Sequence, residues 1–349
     1  MSFKKYFLSF ITIIFLANCS DNSQELSIDY EKYTLDNGLK VILHKDSSDP
    51  LVAISTIVHV GSNREKPGKT GFAHFFEHMA FTASENTPRG ANRLLIPTWG
   101  GSRNGGTSFD YTIYYEIVPK DALEKLMWID SDRLGFMINT VDAETLEGEI
   151  QVVKNEKRQR VDNQPYGHSS GIIQKALYPQ GHPYSWSVIG ELEDLQAATI
   201  EDVKEFYNEF YGPSNATVVI AGDIDFDETK QLVERWFGEI KPNENIIEKP
   251  EVRLVTLSET KKLYHLDKYA QLPQLSLTFP SVEQFSKDSY ALNTLGELLS
   301  NGRNSVFYKE IIEKQQLAPS ASAYNYSSEI AGQFSMSVRA NANTSLNDI

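Results

Sequence analysis

The stretch Gly71-Phe72-Ala73-His74-Phe75-Phe76-Glu77-His78-Met79 decides both the fold and the chemistry expected of this chain. His74 and His78 are four residues apart, so on a helix they lie one turn apart on one face. Two imidazoles at this spacing can bind one metal ion. Glu77 shares that side of the helix and is placed to take a proton from a metal-bound water rather than to bind the metal. The stretch therefore predicts a helix that carries a metal site.

An alternative interpretation is a pair of partly buried helix histidines beside a surface glutamate. The surrounding sequence disfavours it, because Phe72, Phe75, Phe76 and Phe81 make the helix apolar nearly all round. Two imidazoles and a carboxylate in such a helix are costly unless they are paired or bind a metal. The order His-x-x-Glu-His is also the reverse of the commoner zinc-peptidase order. The motif therefore favours a zinc site.

A catalytic zinc ion needs a third protein ligand and an open position for water. The single cysteine, Cys19, lies in a targeting segment, so this ligand must be His, Asp or Glu. The helix expected from Ala143 to Arg160, with Asp142 as its N-cap, offers Glu149 and Glu156. These glutamates are seven residues apart and share one helix face. Their spacing alone still favours a solvated face, so it leaves the third ligand open.

Hydrophobic periodicity predicts an α+β fold of mainly antiparallel sheet packed against helices. The order of elements begins again after a polar stretch with two prolines at residues 241–251. We therefore predict two related units, a catalytic unit at residues 20–245 and a second, non-catalytic unit at 246–349. The second unit contains neither the histidine pair nor the glutamate pair, and it ends in a polar segment without closing helices. We expect it to be partial.

The individual elements follow from the same patterns. Asn37-Gly38 predicts the turn of a hairpin within residues 33–43. The other strands are expected at 51–60, 112–118, 216–221, 262–266, 274–279, 320–326 and 332–338. The helices are expected at 69–82, 122–137, 142–160, 200–211, 228–237, 290–300 and 305–314.

The first 19 residues resemble a bacterial lipoprotein signal. Lys4 and Lys5 precede an apolar run, Tyr6–Leu16, which is too short to span a bilayer and is typical of a signal peptide. Leu16-Ala17-Asn18-Cys19 resembles a lipobox, with Cys19 as the lipidated residue, although Asn18 departs from the usual Gly, Ala or Ser. The segment predicts a lipoprotein of the cell envelope that faces the periplasm, in the outer membrane. The alternative is an ordinary signal for secretion to the periplasm.

Composition excludes several classes of protein. The chain has 349 residues with a net charge of −14, which argues against nucleic acid as a partner because phosphate binding needs clustered Lys and Arg. With 40% hydrophobic and 23% charged residues it is typical of a globular protein. One cysteine excludes an intramolecular disulfide framework, a cysteine-rich zinc module and a CxxC redox site. Contact with a membrane is expected only through the lipid anchor.

Several motifs occur in the order found in one family. His74-x-x-Glu77-His78, followed by Glu149-Ile-Gln-Val-Val-Lys-Asn-Glu156, resembles the pitrilysin/insulinase family of zinc peptidases, the inverzincins. The resemblance covers about residues 35–340. It includes four further stretches and one dipeptide: Gly100–Thr112, Gly181–Tyr184, Phe210–Ala216, Leu299–Ser305 and Gly222-Asp223.

The resemblance implies a role for each residue of the motif. It implies that His74, His78 and Glu156 bind zinc, that Glu77 is the general base, and that Glu149 assists catalysis.

The resemblance also implies where the substrate binds. The stretch from Gly100 is similar to the family's edge strand beside the zinc, so Asn104, Gly105 and Thr107 are expected to bind an extended peptide as an added strand. Gly105 replaces the alanine more usual after this asparagine. Arg103 could meet acidic groups of a substrate, although a surface arginine is the simpler interpretation. His182 is expected to be structural.

The sequence thus predicts a zinc-dependent endopeptidase that hydrolyses peptides in the bacterial cell envelope, with Glu77 activating a zinc-bound water. Two alternatives stay open: a non-catalytic binding or assembly subunit that needs a partner half for activity, and a lipid-anchored structural protein. Family enzymes close a chamber around the substrate with a second half or a second subunit. We therefore expect such a half as a partner, and weak peptide cleavage by the chain alone.

Overall fold

The computed structural model describes residues 27–244, 248 and 250–349. The predicted signal peptide and its lipidation site, Cys19, lie outside the described residues. Residues Glu31–Ile349 form one compact unit. The boundary expected near residue 245 stays a prediction. Within the described part of the chain, every helix is too short or too polar to cross a bilayer.

The structure contains nine strands and nine α-helices in the described residues. The strands are β1 Glu31–Thr34, β2 Lys40–Lys45, β3 Leu51–Val58, β4 Ser102–Thr107, β5 Thr112–Pro119, β6 Ala216–Gly222, β7 Gln274–Ser281, β8 Ser320–Ser327 and β9 Gly332–Arg339. The helices are α1 Phe72–Met79, α2 Ala91–Thr98, α3 Leu123–Phe136, α4 Ala143–Lys157, α5 Ser169–Leu177, α6 Leu192–Gln196, α7 Ile200–Phe210, α8 Phe226–Phe237 and α9 Lys287–Ser300. Wider π-type turns occur at Arg158–Asp162 and Tyr308–Lys314.

The larger sheet has six strands in the order β1-β2-β6-β3-β5-β4. β2 and β6 are parallel, and the other neighbours are antiparallel. The predicted hairpin is confirmed, with Gly38 at a φ of +91° in the turn between β1 and β2. β4 is the last strand of the order and pairs with β5 through the register Asn104↔Tyr115. The sheet therefore ends in a short strand, as expected for the edge strand.

Helices cover the apolar face of this sheet. Alternate residues of β3 are buried, and α3 packs against both β3 and β5 as well as against α8. Phe76 of α1 stacks on Phe206 and on Tyr211, with ring centroids 5.0 and 5.2 Å apart. The metal-motif helix is therefore anchored in the main core of the protein.

A fully buried arginine joins α3 to the sheet. Arg133 donates to Glu116 on β5 at 2.9 Å and to Asp130, one helical turn before it, at 2.6 Å. Removing one partner of such a buried set leaves an uncompensated charge, which typically costs about 3–5 kcal/mol. The spacing of Asp130 and Arg133 is visible in the sequence, but their contact with Glu116 on β5 is not.

The smaller sheet contains β7, β9 and β8 in that order, all antiparallel. α9 packs against β8. The prediction of a strand at Lys262–Leu266 is wrong, since these residues form no strand and the side chains of Tyr264 and Leu266 are 93% and 99% exposed. A short apolar stretch forms a strand only where a neighbouring strand and a core are present. The α+β class itself, with sheets packed against helices, is confirmed.

Candidate metal centre

α1 begins at a left-handed glycine held by a buried carboxylate. Gly71 has a φ of +87°, and its N–H donates to Oε2 of Glu65 at 2.9 Å. The N–H of Ala73 donates to Oε1 of Glu65 at 2.9 Å, and the indole N–H of Trp186 donates to Oε2 at 3.1 Å. Burial raises the pKa of Glu65 to about 8, against the effect of these donors. Glu65 thus fixes the start of the helix that carries the two histidines.

α4 places a carboxylate opposite the histidine pair. Its N-cap is Asp142, as predicted, which accepts from the N–H of Thr145 at 2.8 Å. Oε2 of Glu156 lies 2.9 Å from Nε2 of His78 and 3.5 Å from Nε2 of His74. One ligand atom from each of these three residues lies within 4.8 Å of the others. The structure therefore brings the three predicted ligands together.

The chemistry of the donors fits a single zinc ion. Two imidazole nitrogens and a carboxylate oxygen are ligands of a catalytic zinc site, and the fourth position is left for water. Burial lowers the pKa of His74 to about 4, so this ring is neutral and able to donate an electron pair. Burial acts to lower the pKa of His78, but its hydrogen bond to Glu156 and the charges of Glu156, Glu77 and Glu149 together raise it. Nδ1 of His74 is buried and has no hydrogen-bond partner among the described residues.

Glu77 stands beside the ligand set without belonging to it. Its Oε2 accepts a hydrogen bond from the hydroxyl of Thr107 on β4 at 2.7 Å. Burial raises the pKa of Glu77, while the Thr107 hydroxyl acts to lower it. A carboxylate with a raised pKa is suited to accept a proton from water.

Glu149 and Arg160 support the ligands from α4 and from the turn after it. Oε1 of Glu149 accepts from the hydroxyl of Thr82 at 2.9 Å, and Oε2 lies 4.0 Å from Nδ1 of His78. Arg160 contacts Oε1 of Glu156 at 2.7 Å, which leaves Oε2 facing the histidines. Arg160 was not predicted as part of the site. Its position four residues after Glu156 is the spacing of an ion pair along a helix and could have indicated this contact.

The three residues predicted to bind substrate differ in their positions. Oδ1 of Asn104 accepts from the N–H of Gly105 at 2.9 Å, and the Asn104 side chain is exposed. A Cβ atom at Gly105 would lie 2.8 Å from the ring of Phe81, so the glycine makes room for that ring. Thr107 points to Glu77 instead of to open solvent. Its predicted role in substrate binding is therefore joined by a contact with the proposed base.

His182 has structural partners, in agreement with the prediction. Its Nε2 lies 3.0 Å from the carbonyl oxygen of Arg253, and its Nδ1 accepts from the N–H of Tyr184 at 3.1 Å. Tyr184 donates from its hydroxyl to Asp110, and the same hydroxyl accepts from the N–H of Ile330 at 3.2 Å. These contacts join the loop before β5 to the turn between β8 and β9.

Comparison with known proteins agrees with this geometry. The family described as insulinase, peptidase family M16, matches residues 40–182, and the peptidase M16 inactive domain matches residues 197–348. The zinc protease PqqE of Helicobacter pylori is 30% identical over 325 residues, which cover 91% of this chain and 71% of the relative. The chain belongs to the pitrilysin/insulinase family, peptidase family M16. Hydrophobic periodicity predicted the α+β fold, and the resemblance to this family implied the complete set of zinc ligands.

Solved structures of M16 proteins share the fold. The crystal structure of a protease from Helicobacter pylori matches with a TM-score of 0.82 and 27% identity, over 92% of this chain and 77% of that one. Pitrilysin matches with a TM-score of 0.73 and 21% identity, over 91% of this chain and 34% of pitrilysin. The match to the M16 inactive domain begins before α7 and so includes β6, which lies inside the six-stranded sheet.

Proposed function

We propose that this M16 chain is a zinc-dependent endopeptidase. The observation that carries the proposal is the convergence of His74 and His78 from α1 with Glu156 from α4. The carboxylate of Glu77, also on α1, lies beside them. Relatives named as zinc proteases support zinc as the metal. The bound ion would polarise the scissile carbonyl group and acidify a water molecule.

The protein side chains supply the remaining chemistry. Glu77 takes the proton of the attacking water and delivers it to the leaving amine. The hydroxyl of Thr107 holds the Glu77 carboxylate in one orientation. Glu149 accepts a hydrogen bond from the hydroxyl of Thr82 and lies near Nδ1 of His78. A carboxylate in this position orients an imidazole that binds a metal through its other nitrogen.

The substrate is a peptide that pairs with β4. This strand has one neighbour in the sheet, and its other edge offers backbone donors and acceptors to an extended chain. Thr107 is the last residue of β4 and bonds to Glu77. A peptide paired with β4 would therefore lie beside the metal centre. Peptides are therefore the proposed substrate class.

A non-catalytic binding subunit is the second candidate. It is favoured by the match of residues 197–348 to the M16 inactive domain. In this case a partner half would supply the rest of the active chamber. The complete set of ligands and base in α1 and α4 favours the catalytic proposal.

The site of action is proposed to be the cell envelope, facing the periplasm. This rests on Lys4, Lys5, the apolar run Tyr6–Leu16 and Cys19. Membrane fractionation of cells that express the wild type or Cys19→Ser tests it. Release of the Cys19→Ser protein from the membrane fraction supports lipidation, and an unchanged distribution contradicts it.

Zinc content and peptide cleavage test the catalytic proposal together. The wild type should bind one zinc ion per chain, Glu77→Gln should keep the zinc and lose cleavage, and His78→Gln should lose the zinc. Glu147→Gln is a matched control, because Glu147 lies on α4 and, among the residues that the structure describes, its side chain bonds to Gln151 alone, at the surface. Equal cleavage by the wild type and Glu77→Gln, or a wild type without zinc, contradicts the proposal.

A further inference from the structure

One face of β4 carries more than the contact with the proposed base. Side chains alternate along a strand, so Arg103, Gly105 and Thr107 share a face. Thr107 bonds to Glu77, the ring of Phe81 lies against Gly105, and the guanidinium carbon of Arg103 lies 4.9 Å from the centroid of the same ring. Arg103 therefore stands on the catalytic face of the edge strand.

The carboxylate opposite Arg103 in the register of β4 and β5 belongs to Glu116. No carboxylate in the described part of the chain forms an ion pair with it, and no described residue accepts a hydrogen bond from its guanidinium group. Arg133, which also lies near Phe81, is by contrast paired with both Glu116 and Asp130. Glu116 thus forms its ion pair with Arg133 and not with Arg103.

A second arginine adds to this positive charge. Arg93 is exposed on α2, the helix that packs against β4. Burial lowers the pKa of Arg103, and the charges of Arg93 and Arg133 lower it further, while Glu116 acts in the opposite direction. An arginine stays protonated despite such shifts. The edge strand thus has a local positive patch, Arg93 and Arg103, in a chain with a net charge of −14.

We propose that Arg103, assisted by Arg93, binds an acidic side chain of the peptide that pairs with β4. The inference rests on the proposed function for the location of the substrate strand. A guanidinium group presents a planar fork of N–H donors that matches a carboxylate. The ring of Phe81 supports the guanidinium plane and leaves its donors free for the substrate.

The geometry of a strand fixes the spacing of this acidic residue. Arg103 and Thr107 are four residues apart, which is about 13 Å at about 3.3 Å per residue. Directly opposite residues on paired strands have Cβ atoms about 5 Å apart. The acidic side chain therefore lies four positions from the substrate residue opposite Thr107. An antiparallel peptide places it on the carboxyl-terminal side of that residue, and a parallel peptide on the amino-terminal side.

Peptide binding to the Glu77→Gln protein tests this without relying on turnover. Fluorescence anisotropy would measure the Kd of otherwise neutral, fluorescein-labelled peptides in which one Asp, Asn or Lys is moved along the sequence. At one position the Asp peptide should bind about tenfold more tightly than the Asn peptide. Adding Arg103→Gln should abolish this preference, and adding Arg103→Glu should reverse it in favour of Lys.

Two controls isolate the role of the Arg103 charge. Arg303→Glu changes the net charge by the same amount in the exposed turn after α9 and should leave the Asp preference intact. Arg103→Lys keeps the positive charge but lacks the planar set of guanidinium N–H donors, so it should keep part of the preference for the Asp peptide. Circular dichroism of each variant verifies the fold.

The outcomes separate this inference from the proposed function. Equal affinity for Asp and Asn peptides at every position, a preference that persists in Arg103→Glu, or no peptide binding at all overturns the acidic-side-chain site. Arg103-dependent binding with no cleavage by the zinc-loaded wild type supports the site and contradicts the peptidase proposal. Cleavage with a charge preference that Arg103 does not control contradicts this inference alone.

Discussion

The contact between Thr107 and Glu77 makes a quantitative prediction. Replacing Thr107 by Val keeps the shape of the side chain and removes the hydroxyl that donates to Oε2 of Glu77 at 2.7 Å. Because this donor acts to lower the pKa of Glu77, against the larger effect of burial, its loss raises that pKa further. Glu77 must be ionised to accept the water proton, so the variant should need a higher pH for the same rate.

The size of the effect follows from the bond that is lost. A hydrogen bond to a charged group contributes about 1.5–3 kcal/mol, and one pKa unit corresponds to about 1.4 kcal/mol. The acid limb of the pH profile of kcat/KM should therefore move up by about 1–2 units. Well below this limb the variant should lose about tenfold or more in kcat/KM relative to the wild type, and near pH 8 the loss should be smaller.

The assay is kcat/KM for one peptide measured from pH 5 to pH 9. Thr107→Ser keeps the hydroxyl and is the matched control, which should preserve the wild-type limb. Zinc content should be equal in all three proteins, since Thr107 does not contact the ligands. A Thr107→Val profile that coincides with the wild type, or a Thr107→Ser profile that shifts as far, would refute the reasoning.

Three further predictions concern the metal centre and the edge strand. Burial lowers the pKa of His74 from 6.5 to about 4. The neutral ring therefore contributes about 3 kcal/mol to the free energy of unfolding above pH 6.5, and this contribution is lost as the pH falls through 4. Urea unfolding of the metal-free wild type and of His74→Gln should show that the difference between their free energies of unfolding shrinks as the pH falls. Glu149→Gln, beside His78, should weaken zinc about tenfold in a chelator competition. Gly105→Ala should cost about 1–3 kcal/mol, and adding Phe81→Leu should restore part of it in thermal unfolding.

Local patterns predicted the elements that depend on local chemistry. The spacing of His74 and His78 placed both rings on one helix face, and their centroids are 4.8 Å apart. Asp142 was predicted as an N-cap because Asp is favoured at that position, and it accepts from the N–H of Thr145 in the structure. Spacing also put Glu149 and Glu156 on one face, but only resemblance to the family related that face to α1.

Individual contacts between distant segments could not be predicted from spacing in the sequence. Glu65 accepts hydrogen bonds from residues six and eight positions ahead and from Trp186. These separations match neither the helical nor the strand period, so the sequence pattern does not indicate the contacts. The resemblance implied that β4 lies beside the metal site, and α1 does pack against β4, but no spacing in the sequence predicts the bond between Thr107 and Glu77. The predicted strand at Lys262–Leu266 failed for the same reason, since this stretch has no neighbouring strand to pair with.

The position of β6 has a consequence for the biosynthesis of the protein. β6 lies between β2 and β3, yet it is the last strand of its sheet to leave the ribosome. Until then β2 and β3 each lack a neighbour, and the nascent chain carries two open, apolar strand edges. High contact order of this kind slows folding and exposes such edges to aggregation. The helices that carry the metal ligands are therefore synthesised well before the sheet beneath them can close, and we expect chaperone binding during that interval.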